Sequence, residues 1–278
     1  MRWLHFILSH SVFIAVCALA LCYQTYTLLH IEGNPWVYVF IFFSTLCSYN
    51  FYWLISKYAF SDRLILPFVE KNISYLLVFA LAAAGMLLSV IQIPQALPWI
   101  CCGVLLTLLY SLPLWPFAFA KQLRRLGFLK TTLLAFTWSF VTVVIPAFAK
   151  DQAAWEPVLI LLLARFFFML MLCSIFDMRD VKMDKIHSLR SLATDVSKAT
   201  LGKIMLAVFV LYMAAGLLVR YHFNDNAQLL AFVITGFCVW YVYRLSLRPQ
   251  GYIFYYFIVD GLMLFSGLAT FIAEIANA

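Results

Sequence analysis

The chain has 278 residues, of which 65% are hydrophobic and 11% are charged. A water-soluble domain needs a polar surface, and so apolar a composition cannot supply one. The sequence therefore excludes a soluble globular domain and predicts an integral membrane protein. Its formal net charge of +7 comes from residues that lie mainly between the apolar stretches, so we expect membrane lipids as partners and no nucleic acid.

About twenty apolar residues are needed for a helix to cross ~30 Å of hydrocarbon. On this basis the sequence predicts an all-α protein, a single transmembrane domain over residues 1–278 with nine transmembrane helices. The predicted spans are 11–29, 36–55, 73–91, 97–119, 129–148, 155–176, 201–219, 230–247 and 252–272. We expect two pseudo-repeated halves of four helices, about 1–128 and 129–247, followed by a ninth helix at 252–273.

The first apolar stretch resembles a signal peptide, because Arg2 precedes it and Ala18-Leu19-Ala20 could be a cleavage site. The apolar run continues to Leu29, which is longer than a usual signal core, so we interpret it as a span.

The Lys and Arg residues predict the orientation, since cytoplasmic loops carry the excess of positive charge. Sixteen of the nineteen lie at the N-terminus and in the loops after spans two, four, six and eight, while Lys150 and Arg220 lie in the opposite loops. We therefore expect a cytoplasmic N-terminus, an external C-terminus and a cytosolic loop after span six, in a membrane that we take to be a bacterial inner membrane.

Several polar residues lie near the predicted ends of spans two and four, where they could have structural or binding roles. Asn50 could form a hydrogen bond between helices. Arg124 and Arg125 in the basic segment 121–126 could bind anionic head groups, or they could neutralise a substrate diphosphate. Lys57 lies in the loop on the same predicted side of the membrane.

Two charges lie inside predicted spans, Arg165 in the sixth and Asp260 in the ninth. Either charge alone at the bilayer centre costs ~3 kcal/mol on insertion scales. We expect these residues to pair with each other or to line a polar cavity.

An acidic stretch follows the sixth span, with Asp177, Asp180 and Asp184 spaced i, i+3 and i+7. In a helix this spacing places the three carboxylates within roughly 60° of one face. Oxygen ligands at a helix end suit Mg²⁺, which takes its remaining ligands from water and substrate phosphates. The alternative is a solvated loop whose charges keep it out of the lipid. The cysteines and histidines show no metal-ligand spacing.

The stretch from Asp177 to Ser191 resembles the second aspartate motif of the UbiA superfamily of intramembrane prenyltransferases. Asp180 and Asp184 match the Asp-x-x-x-Asp pair, and Arg190 and Ser191 match the basic residue and the hydroxyl. The resemblance implies a UbiA-like helical bundle around a cavity open to the membrane, in which Mg²⁺ bridges the aspartates to a polyprenyl diphosphate. The isoprenyl group is then transferred to a lipophilic acceptor.

Carried onto this sequence, the resemblance assigns three kinds of role. The residues implied in catalysis are Asp180, Asp184 and Arg190. The metal ligands are Asp177, Asp180 and Asp184, and the residues implied in binding the cofactor and the diphosphate are Asn50, Lys57, Arg124, Arg125 and Lys182.

The first aspartate motif of the family is degenerate in this chain. Asn50 fits, but Phe51, Leu54 and Tyr58 stand where three aspartates belong, and Ser188 replaces a glycine after the second motif. Two hypotheses follow. The chain is a Mg²⁺-dependent prenyltransferase, or it is a non-catalytic protein of this fold that binds or carries an isoprenoid lipid.

Overall fold

A computed structural model describes residues 2–59, 72–111, 127–150, 153–186, 190–223 and 225–277. Within these ranges the structure is helical and contains no strand, so the prediction of an all-α protein is confirmed.

The helices are numbered α1 to α11 in chain order, and α8 is a single turn. Their bounds are Arg2–Ser9, Val12–Leu28, Pro35–Ala59, Ile73–Gln92, Leu97–Ser111, Gly127–Phe148, Trp155–Ile186, Leu192–Asp195, Lys198–Phe223, Asn226–Ser246 and Asp260–Asn277. A π-helical segment, Phe140–Val144, interrupts α6, and a second one, Phe254–Val259, leads directly into α11. The first helix, α1, precedes the first predicted span and was not predicted.

Seven helices among the described residues are long and apolar enough to cross a membrane. Two shorter apolar helices, Val12–Leu28 and Pro94–Tyr110, lie where the first and fourth spans were predicted. The end of the fourth predicted span, residues 112–119, lies outside the described residues. An integral membrane protein is therefore supported, while the count of nine crossings, the division into two halves and the orientation stay predictions.

Most consecutive helices pack side by side, and the bundle closes where α11 packs against α2. Small residues permit this closure, because a Cβ atom added to Gly267 of α11 would lie 2.7 Å from the backbone oxygen of Ala20 in α2. Close backbone approach at small residues is typical of helix packing in membranes, where lipid offers no hydrophobic driving force between helices.

The seventh helix is longer than its predicted span and positions the acidic stretch. It continues for ten residues beyond Phe176 and ends at Ile186. Asp177, Asp180 and Asp184 therefore lie on the last turns of a continuous helix and not in a loop, while the choice between solvated charges and metal ligands stays open. We call the end of the bundle where α7 terminates the motif end.

Candidate functional site

Asp177 connects the segment after α7 to the start of α6 by hydrogen bonds. Its Oδ2 accepts hydrogen bonds from the hydroxyl of Thr131 and from the backbone N–H of Leu192, the latter at 3.2 Å. The two segments approach closely, because a Cβ atom on Gly127 would lie 2.5 Å from the backbone nitrogen of Ser191. Asp177 thus holds residues 190–195 beside the second motif.

Asp180 forms a bidentate ion pair with its neighbour Arg179. Arg179 Nε lies 2.6 Å from Asp180 Oδ1, and Nη2 lies 2.9 Å from Oδ2. Paired N–H donors that match a carboxylate make a strong, directional contact. Both oxygens of this predicted metal ligand therefore contact a cation of the chain itself.

Three aromatic rings surround the guanidinium of Arg179, and we call Phe176, Tyr255 and Tyr256 the aromatic cage. The guanidinium carbon lies 4.9 Å from the ring centre of Phe176, 5.3 Å from Tyr255 and 4.8 Å from Tyr256. Its Nη1 is buried and has no hydrogen-bond partner among the described residues. The cage therefore holds a positive charge between α7 and the π-helical segment that precedes α11.

Arg190 and Ser191, which match the end of the motif, lie in the segment that Asp177 anchors. Arg190 Nε lies 2.9 Å from Asp195 Oδ1, and about half of the Arg190 side chain is exposed. Ser191 is fully buried. The structure therefore brings Asp177, Asp180 and Arg190 to the motif end, with Arg190 partly open to solvent.

Several predicted site residues lie outside the described part of the structure. The backbone of α7 includes Lys182 and Asp184, but their side chains are not among those described, and neither is that of Lys57. Arg124 and Arg125 lie in the undescribed range 112–126. Their roles stay predictions.

Asn50 links α3 to the turn between α1 and α2 at a buried corner of the motif end. Its Nδ2 donates to the backbone oxygen of Leu46 at 2.8 Å and to that of His10 at 3.1 Å. The ring of His10 stacks on Phe6 and Tyr75, and its Nε2 lies 3.3 Å from Ser74 Oγ. Burial lowers the pKa of His10. These contacts agree with the interpretation of Asn50 as a link between helices.

The positions of the lost first motif pack against other helices. Phe51 stacks on Phe79 of α4, with ring centres 5.9 Å apart, and Leu54 is buried. The side chain of Tyr58 lies outside the described residues. Within the part that is described, these positions supply packing and no carboxylate.

Residues of the described ranges do not by themselves form a metal centre, since no three of their His, Cys, Asp or Glu side chains are grouped as ligands. Mg²⁺ prefers oxygen ligands in near-octahedral geometry and retains several waters. Two carboxylates on successive turns would suffice if substrate oxygens complete the shell. The continuous helix preserves the i, i+4 spacing of Asp180 and Asp184, and their role as Mg²⁺ ligands stays a prediction.

Arg165 and Asp260 do not pair with each other, so the first of the two alternatives is wrong, while the polar cavity stays a prediction. Arg165 is buried and donates from Nη2 to Gln24 Oε1 at 2.8 Å and from Nη1 to the backbone oxygen of Leu21 at 3.3 Å. Gln24 in turn donates to Thr270 Oγ1 at 2.7 Å. Asp260 is buried at the start of α11.

A groove of about 780 Å³ opens on the outer surface between α10 and α11. Its walls are apolar and include Phe13, Phe237 and Phe257. None of the predicted site residues lines it. The cavity that the resemblance implies therefore stays a prediction.

No protein-family model matches the chain, and no curated protein matches it. Two solved structures are similar over nearly their whole length. The apo structure of a UbiA homolog from Aeropyrum pernix K1 has a TM-score of 0.68 at 12% identity, covering 96% of this chain and 98% of that one. A structure described under the biosynthesis of digeranylgeranylglyceryl phosphate synthase in membranes has a TM-score of 0.60 at 15% identity, covering 99% and 100%.

At such low identity the likeness concerns the fold. It agrees with the resemblance to this fold that the sequence shows between Asp177 and Ser191. This chain has the fold of the UbiA superfamily of membrane proteins.

Proposed function

We propose that this protein transfers an isoprenyl group from a polyprenyl diphosphate to a lipophilic acceptor, at a site on the motif end of the bundle. The observation that carries the proposal is the anchoring of residues 190–195 by Asp177. This contact supports a role for Arg190 near the helix end that bears Asp180 and Asp184. The fold, shared with a structure named for digeranylgeranylglyceryl phosphate synthase, supports the same proposal.

The chemistry needs positive charge at the leaving diphosphate, because the C–O bond breaks only if the departing electron pair is stabilised. Arg190 can bind a phosphate oxygen, since about half of its side chain is exposed. Asp180 and Asp184 would hold Mg²⁺, which when bound neutralises diphosphate oxygens. Arg179 must then release Asp180, and the aromatic cage keeps the released guanidinium near the site.

A second candidate function is a non-catalytic protein that binds or carries an isoprenoid lipid. The observation that favours it is the packing of Phe51 against Phe79, where the resemblance implies an aspartate. A site with one carboxylate cluster would hold fewer metal ions than a site with two, and would stabilise the leaving diphosphate less.

The experiment that tests the proposal measures pyrophosphate release and prenylated product with the purified chain, across isoprenyl diphosphates of different length and with a Mg²⁺ titration. Asp180→Asn and Asp184→Asn each remove an anionic ligand while keeping the side-chain shape, so we expect both to abolish release. Glu156→Gln is the matched control, because Glu156 lies in the first turn of the same helix at the opposite end.

The outcomes separate the two functions. If a donor binds only when both Asp180 and Asp184 are present, and no donor is turned over, the result favours the non-catalytic lipid-binding function. If donor binding is unchanged without Asp180, Asp184 or Mg²⁺, the proposed site is refuted for the transferase and for the lipid-binding protein.

A further inference from the structure

Arg165 is a buried cation whose hydrogen bonds go to neutral oxygens. It lies within α7 and is only 3% exposed. Its acceptors are the backbone oxygen of Leu21 and Oε1 of Gln24, and no carboxylate of the described residues forms an ion pair with it. A guanidinium keeps its proton inside a protein, and charged side chains within membrane spans normally have a charged or polar partner. The described part of the chain thus gives Arg165 polar contacts but no opposite charge.

The polar side chains around Arg165 bind one another. Gln24 Nε2 donates to Thr270 Oγ1 at 2.7 Å and to Ser266 Oγ at 3.1 Å, which leaves Gln24 Oε1 to face the guanidinium. The two acceptors at Leu21 and Gln24 use two of the five N–H donors that a guanidinium offers. Neutral acceptors satisfy donors but do not cancel a charge, and a buried charge is costly unless an opposite charge pairs with it.

A small cavity of about 10 Å³ adjoins Arg165. Its wall includes polar side chains from four helices, Gln24 of α2, Arg165 of α7, Tyr212 of α9 and Ser266 of α11, and the rest of the wall is apolar. A cavity of this size accommodates about one water-sized particle. It therefore has room for a single atom and is too small for a phosphate or a carboxylic acid.

The size of the cavity and the charge beside it together favour a monatomic anion. Water would accept a hydrogen bond from the guanidinium and leave its charge in place, whereas a halide ion would do both. Arg165, Tyr212 and Ser266 all carry N–H or O–H donors, which is the chemistry that a halide needs. The low dielectric of a buried site strengthens the attraction between opposite charges.

Polar side chains continue from this cavity towards the end of the bundle opposite the motif end. Thr270 connects Gln24 to Gln228, whose Nε2 donates to the backbone oxygen of Thr270 at 3.1 Å. Gln228 lies in the first turn of α10, and its Oε1 is buried with no hydrogen-bond partner in the part of the chain that the structure describes. Buried acceptors of this kind are commonly satisfied by water. These residues offer a small ion a polar route from that end.

We propose that the cavity beside Arg165 binds one monatomic anion of the halide class, with chloride as the occupant in the cell. Arg165 neutralises the anion, and the hydroxyl groups of Tyr212 and Ser266 donate hydrogen bonds to it. The bound anion connects α2, α7, α9 and α11 and therefore stabilises the bundle. The site is separate from the motif end and does not depend on the transferase function.

Thermal unfolding of the purified full-length chain in detergent tests this site. Sodium chloride is replaced stepwise by sodium gluconate at constant ionic strength, because gluconate is too large for the cavity. A ligand that binds only the folded state stabilises it with the logarithm of its concentration. We expect the unfolding temperature to rise by roughly 2–4 °C for each tenfold increase in chloride above its dissociation constant.

Three variants show whether Arg165 is responsible. Arg165→Met removes the charge and keeps a long side chain, so the dependence on chloride should disappear. Arg165→Lys keeps the charge but loses the planar fork of donors, so chloride should bind more weakly than in the wild type. The matched control is Arg220→Met, because Arg220 is an exposed cation near the end of α9 that donates to Asn226 Oδ1 at 2.8 Å. It should keep the wild-type response.

Bromide locates the site without any variant. Crystals of the wild type grown in sodium bromide should show an anomalous scattering peak beside the guanidinium of Arg165, next to Tyr212 and Ser266. This measurement decides the proposal even if Arg165→Met fails to fold.

Three results would overturn the inference. The first is an unfolding temperature of the wild type that is equal in chloride and in gluconate. The second is an equal chloride response in the wild type and in Arg165→Met. The third is the absence of a bromide peak beside Arg165, which would show that the cavity holds water only.

Discussion

Replacing Arg179 with glutamine tests whether this cation competes with a metal ion for Asp180. The change removes a bidentate ion pair and the cation over three rings, while it keeps a polar side chain. Hydrogen bonds to charged groups contribute about 1.5–3 kcal/mol, and an exposed cation–π contact contributes about 0.5–1 kcal/mol. Water screens the pair, because 42% of the Asp180 side chain is exposed.

These contacts share one side chain, are not additive and are screened by water, so we expect a loss below their sum, roughly 1–2 kcal/mol in the free energy of unfolding without metal. The released carboxylate then has two oxygens available for Mg²⁺. A ligand that binds only the folded state stabilises it in proportion to the logarithm of its concentration over the dissociation constant. Mg²⁺ should therefore stabilise Arg179→Gln more than it stabilises the wild type.

The assay is thermal unfolding of the purified protein, followed by tryptophan fluorescence across a Mg²⁺ titration. Arg179→Lys is the matched control, because it keeps the charge but loses the planar fork that fits a carboxylate. It should lie between the wild type and Arg179→Gln. An identical Mg²⁺ response in all three proteins would show that Arg179 does not occupy the metal position.

Three further predictions concern parts of the site that pack tightly or are buried. Gly127→Ala should destabilise the fold by about 1–3 kcal/mol, because the added methyl group would overlap neighbouring backbone; Gly251→Ala, with nothing within 4 Å of the added atom, is the control, and equal unfolding temperatures would contradict the reasoning. Arg165→Met and Asp260→Leu should affect the free energy of unfolding additively, with a coupling below about 0.5 kcal/mol in a double-mutant cycle; a larger coupling would restore the pairing that the structure excludes. Burial lowers the pKa of His10 from its usual 6.5, so the stability that its neutral ring contributes is present above about pH 6.5 and is lost as the pH falls below it. Unfolding of His10→Gln should depend less on pH between about 7.5 and 5, and an unchanged pH dependence would contradict this.

The sequence by itself determined the class of protein and the position of the candidate site. An apolar composition leaves few alternatives, because backbone polar groups in lipid must be satisfied within helices. The spacing of Asp177, Asp180 and Asp184 predicted one face of a helix, and α7 continues through that stretch. The replacement of the first motif by Phe51 and Leu54 was also readable from the chain, since it concerns residue identity alone.

Only the tertiary structure decided which polar groups contact each other. Arg165 donates to Gln24, which lies 141 residues earlier in the chain, and Asp177 accepts from Thr131, which lies 46 residues earlier. Such partners depend on how each helix is rotated about its axis and on which neighbour it packs against. Apolar stretches that are hydrophobic on all sides carry little information about that rotation. The sequence likewise could not show that Asp260 is buried without pairing with Arg165, whose hydrogen bonds go to Leu21 and Gln24.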